Sequence, residues 1–376
     1  MSKPSAIVIG AGIVGLAMAR ALGERGYQVV VLERSPRVVG ASTRNFGMVW
    51  PIGQPSGVLY ERAMRSRSIW KSLLGAANVW HRETGSLLVA RRPEEMAVLE
   101  EFIQHDARPS ACLCNPSETL AHSPAIKSSG LLGSLYSSDE LIVDPRVAIS
   151  VLPEILRERY GTEFHFRTAV THIAHPAVHA GERKFEADRI FVCSGPDFET
   201  LYPEYFRQTP ITRCKVQMLR TPPQSAAWDM GASLSAGLTL IHYKAFEEMP
   251  SLAALRNLYE QEYPEHIRWG VHVLVSQNGE GVVTIGDTHE YGLDLDPFDR
   301  HALNELVYAY LAEFATLPEL KMAESWHGIY PKMMDGSTEC VFDPAPGVTV
   351  INGLGGAGMT LSFGLAEEIS NGHRLQ

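Results

Sequence analysis

Six residues near the start of the chain, Gly10-Ala11-Gly12-Ile13-Val14-Gly15, have the types and spacing to hold a pyrophosphate. In a G-x-G-x-x-G turn each glycine meets a different demand. The first makes the tight turn, the second admits the backbone close to a phosphate, and the third lets helix and strand pack. The helix that follows presents free N–H groups and partial positive charge, which favour an anion. Glu33, followed by Arg34, lies where a carboxylate accepts hydrogen bonds from an adenosine ribose. A second glycine cluster, Gly353-Leu354-Gly355-Gly356-Ala357-Gly358-Met359-Thr360, precedes a helical pattern from about Leu361 to Ser370. So many glycines would weaken an ordinary element. They read instead as a second helix N-terminus offered to developing negative charge.

The elements that must position these turns follow from hydrophobic spacing. Ala6–Ile9 is a short apolar run, Ile13–Leu22 has helical periodicity stopped by Gly26, and Gln28–Leu32 is apolar throughout. This is one βαβ unit of a parallel sheet covered on both faces. Helical spacing recurs over Tyr60–Leu74 and Pro93–Ile103, and Asp144-Pro145-Arg146 opens a helix running to Tyr160. Strands continue through Ala187, and Ala187–Gly195 reads as a buried strand returning to the nucleotide-binding sheet. Between Ile211 and Glu290 lie β-rich runs at Leu238–Tyr243, Trp269–Ser276 and Gly281–Gly286, with a polar helix at Leu252–Glu262. The expected fold is α/β (α+β overall): a discontinuous Rossmann-type domain (1–80, 142–210 and 325–376) interleaved with a smaller antiparallel-sheet substrate domain (81–141 and 211–324).

Composition narrows the function classes. With 376 residues the chain exceeds one ordinary core, and its 45% hydrophobic and 20% charged content is that of globular protein. A formal charge of −10 argues against a nucleic-acid partner. Five scattered cysteines suggest neither a disulfide framework nor a zinc site, and Cys112-x-Cys114 is too tight for a redox pair. His165, His172, His175 and His179 match no common ligand spacing, so no metal is expected. The opening apolar stretch imitates a signal peptide, but its glycine spacing belongs to the nucleotide turn. No apolar run reaches the roughly 18–20 residues of a membrane span. A cytoplasmic enzyme without membrane insertion is the expectation.

Beyond these patterns, the chain over nearly its full length resembles the D-amino-acid oxidase, glycine oxidase and sarcosine oxidase family of flavoenzymes. The resemblance rests on the G-x-G-x-x-G unit, on Gly40-Ala41-Ser42-Thr43-Arg44-Asn45-Phe46-Gly47, on the Ala187–Gly195 strand and on the final glycine turn. It implies noncovalent FAD. Implied cofactor contacts are Gly10 to Gly15, Glu33, Arg34, Ser42, Arg44, Asn45, Phe46, Gly47, Val170, Ser194, Gly195, Gly355, Gly356, Ala357, Gly358, Met359 and Thr360. Closer similarity to a subgroup linked to phosphonate breakdown runs through Arg44–Pro55, Leu135–Ser137, Val143–Arg146 and Thr284–Tyr291. That similarity implies an aminophosphonate substrate, N-methylated or primary.

One departure bears on substrate. Amino-acid oxidases of this family hold the substrate carboxylate with an arginine in a Gly-x-Arg-Pro segment, whereas this chain reads Gly328-Ile329-Tyr330-Pro331. A tyrosine offers one hydrogen bond and no charge, so simple α-amino acids fit poorly. Lys332, Arg44, His327 and His289 are candidates for an anionic group, and Trp50, His327 and Tyr330 for the substrate wall. Hydride transfer from the carbon beside a neutral nitrogen, then imine hydrolysis, needs orientation rather than a named base. Dioxygen or another acceptor would reoxidise the flavin, since the lysine that sarcosine oxidases place before an Ile-Gly pair is Thr284 here. Oxidation of a carbon–oxygen bond, as by a 2-hydroxy-acid dehydrogenase, or of a glycine- or sarcosine-type amino acid, stays open beside the aminophosphonate reading. A flavin module without catalysis is a further alternative.

Overall fold

The computed structural model describes residues 3–106 and 108–372. Its first sheet is built as the apolar runs demand. Ser5–Ile9 pairs in parallel with Gln28–Leu32 on one side and Arg189–Val192 on the other. Glu163–His165 and Val348–Asn352 extend these pairings in parallel, and Cys340–Ala345 closes one edge antiparallel. Buried on both faces, the central strands need no polar alternation.

Helix Ile13–Glu24 crosses from the first strand to the second and buries Leu16, Ala17, Met18 and Ala19 completely. Gly10, at φ 102°, turns the chain there; a Cβ on it would lie 2.3 Å from the Cys193 carbonyl oxygen. Helices Val58–Ala76 and Gly358–Ser370 pack on the same layer. They are joined by Arg62, 2% exposed, which bonds both Glu339 and Glu368. A buried guanidinium needs such paired carboxylates. Helix Pro145–Tyr160 starts as expected, with the Asp144 side chain accepting from Arg146 N–H and Val147 N–H.

The second large sheet has nine strands and is mostly antiparallel. Its spine is Ile211–Pro223, which pairs with Val282–Gly286, with Glu290–Gly292, and along its length with Glu324–Met333. Residues 325–333, expected with the nucleotide-binding unit, therefore belong to this sheet. Ser86–Ala90, Gly133–Ser137 and Ala111–Cys114 complete it on the far side of Ser233–Ala236 and Leu274–Gln277. Two expected strands are corrected. Leu238–Tyr243 forms no strand, because the chain makes short 3-10 turns at Gly237–Thr239 and Lys244–Phe246. Of Trp269–Ser276 only the part from Leu274 is extended, since Trp269 caps the helix Pro264–Arg268. Apolar content alone does not separate strand from buried turn. No helix among the described residues is long and apolar enough to cross a membrane.

Candidate active site

A single cavity of about 650 Å³ runs from the first sheet to the second. That volume lies within the range of cofactor and ligand clefts. One end is walled by Gly10, Gly12, Ile13, Val14, Glu33, Arg34, Ser42 and Val170. Glu33 is fixed there by two backbone donors, Ala11 N–H to Oε2 at 2.9 Å and Ser35 N–H to Oε1 at 2.8 Å. Ser42 Oγ accepts from Ile13 N–H at 2.9 Å, so its hydroxyl marks the N-terminus of the first helix. Arg34 pairs with Asp197 at 2.7 Å across the cavity rim.

The glycines divide their tasks by geometry. A Cβ on Gly15 would lie 1.9 Å from the Gly10 carbonyl oxygen, so that position is closed by strand–helix packing. At Gly12 a Cβ would meet only Ser42 Oγ, at 3.3 Å, and otherwise project toward the cavity. Space is kept there for something other than protein. Ala11, Gly15 and Gly47 do not line the cavity; Gly47 is required where the chain passes the Val143 carbonyl, 1.9 Å from where its Cβ would stand. Asn45 spends its amide on the loop, donating to the Ala41 and Ser42 carbonyls and accepting from Gly47 N–H. Arg44 and Phe46 line the cavity beside it.

The middle of the cavity is formed by the C-terminal glycine turn. Gly355–Ala357 is one 3-10 turn, and the helix begins at Gly358, three residues earlier than expected, with no side chain capping its N–H groups. Gly355, Gly356, Ala357, Gly358, Met359 and Thr360 all line the cavity, as do Ser194 and Gly195. Thr360 Oγ1 accepts from Trp50 N–H at 3.0 Å and so holds the Trp50 segment against this turn. Two cradles at helix N-termini, one at each glycine cluster and the second without a capping side chain, fit a dinucleotide carrying an electron-accepting ring.

At the other end stand Trp50, Tyr243, Tyr291, Tyr330, Lys332, His242, His272, Asp287 and His289. Trp50 packs edge-on to Tyr243 with centroids 4.5 Å apart. Burial raises the Tyr330 hydroxyl well above its ordinary range, so it stays a neutral donor; its oxygen lies 3.5 Å from where a Cβ on Gly356 would be. Lys332 bridges to Leu354, crosses Gly355, and its ammonium has no carboxylate partner among the described residues. Burial lowers its pKa. His327 is corrected: its Nδ1 lies 2.8 Å from Asp299 Oδ1 and its ring is outside the cavity lining. Strand alternation turns it to the face opposite Tyr330, a consequence of the pairing with Ile211–Pro223.

The described residues bring together His242, His272 and the substrate-site candidate His289, rather than the set His165, His172, His175 and His179. The hairpin signal at Asn278-Gly279-Glu280-Gly281 sets Leu274 opposite Gly286 and hence His272 beside Asp287. That pair was readable in principle; His242 was not.

The sequence matches the family described as FAD dependent oxidoreductase over residues 5–371. One subunit of the opine oxidase of Rhizobium meliloti is 22% identical over 348 residues, 88% of this chain and 82% of that protein. A tRNA 5-methylaminomethyl-2-thiouridine biosynthesis bifunctional protein of Chromobacterium violaceum is 43% identical over 58 residues, but this chain spans only 7% of its length. Glycine oxidase from Geobacillus kaustophilus has a similar fold, with TM-score 0.76 and 17% identity, covering 100% of this chain and 96% of that one.

Proposed function

The chain belongs to the FAD-dependent oxidoreductase family, and from that premise we propose that it oxidises the carbon–nitrogen bond of a small amine bearing an anionic group, an aminophosphonate or its N-methyl derivative. The observation that carries this is the continuity of one cavity from Glu33 and the two glycine cradles to a wall holding Tyr330 and the unpaired Lys332. Bound there, FAD supplies the acceptor for a hydride from the carbon beside nitrogen.

The chain's own residues do the rest. Gly12, Ser42 and the N-termini at Ile13 and Gly358 line the cavity where they would hold the nucleotide, with Glu33 placed to accept from its ribose. Trp50 and Tyr243 exclude water from the reacting carbon. Tyr330 donates one hydrogen bond, and Lys332 balances the anionic end of the substrate. A tyrosine in place of the family's arginine disfavours a planar carboxylate that seeks two parallel donors. A tetrahedral phosphonate with a point charge opposite it is better served by lysine. No cysteine lies between residues 327 and 338, which supports a noncovalent cofactor.

The test is turnover with product identification. N-methyl- and primary aminophosphonates are compared with glycine, sarcosine and a 2-hydroxy acid. The expected product is the aldehyde left by imine hydrolysis, with release of methylamine or ammonia. A preference for the 2-hydroxy acid, with a keto acid formed, would overturn the assignment.

A further inference from the structure

Deep in the cavity three histidines and one aspartate meet from separate segments. His242 stands between two short turns, His272 precedes the strand Leu274–Gln277, and Asp287 and His289 follow its partner Val282–Gly286. Pairing of these strands brings Asp287 N–H to the His272 carbonyl at 3.1 Å. One ring nitrogen of each histidine lies within 4.8 Å of the other two. Asp287 Oδ1 is 3.4 Å from His272 Nε2, and Asp287 Oδ2 is 3.9 Å from His289 Nε2.

Hydrogen-bond accounting leaves this cluster incomplete. His289 Nδ1 lies 2.8 Å from the Gly270 carbonyl oxygen. A carbonyl only accepts, so Nδ1 carries the proton and Nε2 presents a lone pair toward Asp287. Asp287 Oδ1 and His272 Nδ1 are buried without any partner, in side chains 7% and 2% exposed as residues. Buried polar atoms are rarely left so.

Three converging ring nitrogens beside an unpartnered aspartate oxygen form a donor set suited to a cation. An anion placed among them would meet Asp287. Lys332 lines the same end of the cavity, with no carboxylate partner among the described residues. We propose that His242, His272 and His289, with Asp287 as an additional oxygen donor, bind a divalent first-row transition-metal ion such as Zn²⁺. Imidazole-rich sets with one carboxylate suit such ions. The hydrogen bond from His289 to Gly270 is the outer contact that fixes a ligating ring. His242, whose ring is open to the cavity, gives the ion its way in. On this assignment His289 contacts the ion rather than the substrate directly.

The experiment is calorimetric titration of chelator-treated, FAD-loaded protein with ZnCl₂, beside metal analysis of untreated protein. It needs no turnover, so it is independent of the amine reading. Wild type is expected to take up about one Zn²⁺ per chain. His272→Ala and Asp287→Asn should bind at least about 10-fold more weakly, and His242→Ala about 100-fold, at unchanged flavin content. His301→Ala, on an exposed helix start, should bind as wild type does. If His272→Ala loses flavin and fails to fold, the cavity-facing His242→Gln decides instead. Absence of saturable binding, or equal binding by His242→Gln and wild type, would overturn the proposal.

Discussion

Replacing Gly12 or Gly15 by alanine separates cofactor binding from folding, although both glycines belong to one motif. At Gly15 the new Cβ would stand 1.9 Å from the Gly10 carbonyl oxygen and 3.0 Å from its carbon. Real contacts of this kind do not fall below 3.0 Å, so the helix must lift from the strand by about an ångström. That helix buries Leu16, Ala17 and Met18 completely, and overpacking of such a layer costs about 3 kcal/mol. At Gly12 the backbone has φ −68°, open to any residue, and only Ser42 Oγ is near, at 3.3 Å. An alanine there is a poorer N-cap than glycine by about 0.5–1 kcal/mol, so stability holds to within about 1 kcal/mol. Its methyl nonetheless occupies the approach needed by a pyrophosphate. FAD affinity should fall by about 10- to 100-fold, or about 1.4–2.7 kcal/mol. Denaturant unfolding of both apoproteins, with fluorescence titration of FAD, measures the two effects separately. Gly12→Ala binding FAD as tightly as wild type, or unfolding as readily as Gly15→Ala, would refute the reasoning.

Other outcomes follow from single groups. Lys332→Met should raise KM for anionic amines by about 10- to 100-fold, the worth of a charged contact, and leave uncharged amines little changed; steady-state kinetics on both classes checks it. Glu140 is fully buried beside the Trp50–Gln54 segment and accepts from Ile52 N–H at 3.0 Å, and burial raises its pKa to about 7. Because the folded value exceeds the ordinary glutamate value of 4.5, its stability contribution is whole below pH about 4.5 and is lost as pH rises through about 7. Glu140→Gln should therefore be more stable than wild type above pH 7, by up to about 3 kcal/mol, and should flatten that part of the denaturation profile. Acid precipitation should release the flavin into the supernatant, since no cysteine stands where a tether would form; colour retained in the pellet would contradict this.

The parts of the fold that were legible are those governed by local chemistry. The turn at Gly10, the helix after Gly12 and the helix start at Asp144-Pro145-Arg146 each follow from short-range rules, and all stand where expected. Glu33 was placed by counting along one βαβ unit, and it does face the cavity. What stayed hidden depends on pairing between distant strands. His327 was misplaced because its facing side is set by the register with Ile211–Pro223, which no local pattern encodes. The convergence of His242 with His272 and His289 likewise needs two turns to return to one point. Leu238–Tyr243 was misjudged because a buried turn and a strand share the same apolar composition. Arg62, carrying two carboxylates in the core, gave no sequence signal of burial.

The most direct test is anaerobic mixing of FAD-loaded protein with an N-methylated aminophosphonate while the flavin absorption band is followed. Bleaching by that amine, faster than with glycine and absent with a 2-hydroxy acid, is the predicted result. A band that persists with every amine yet bleaches with the hydroxy acid would contradict amine oxidation in this cavity.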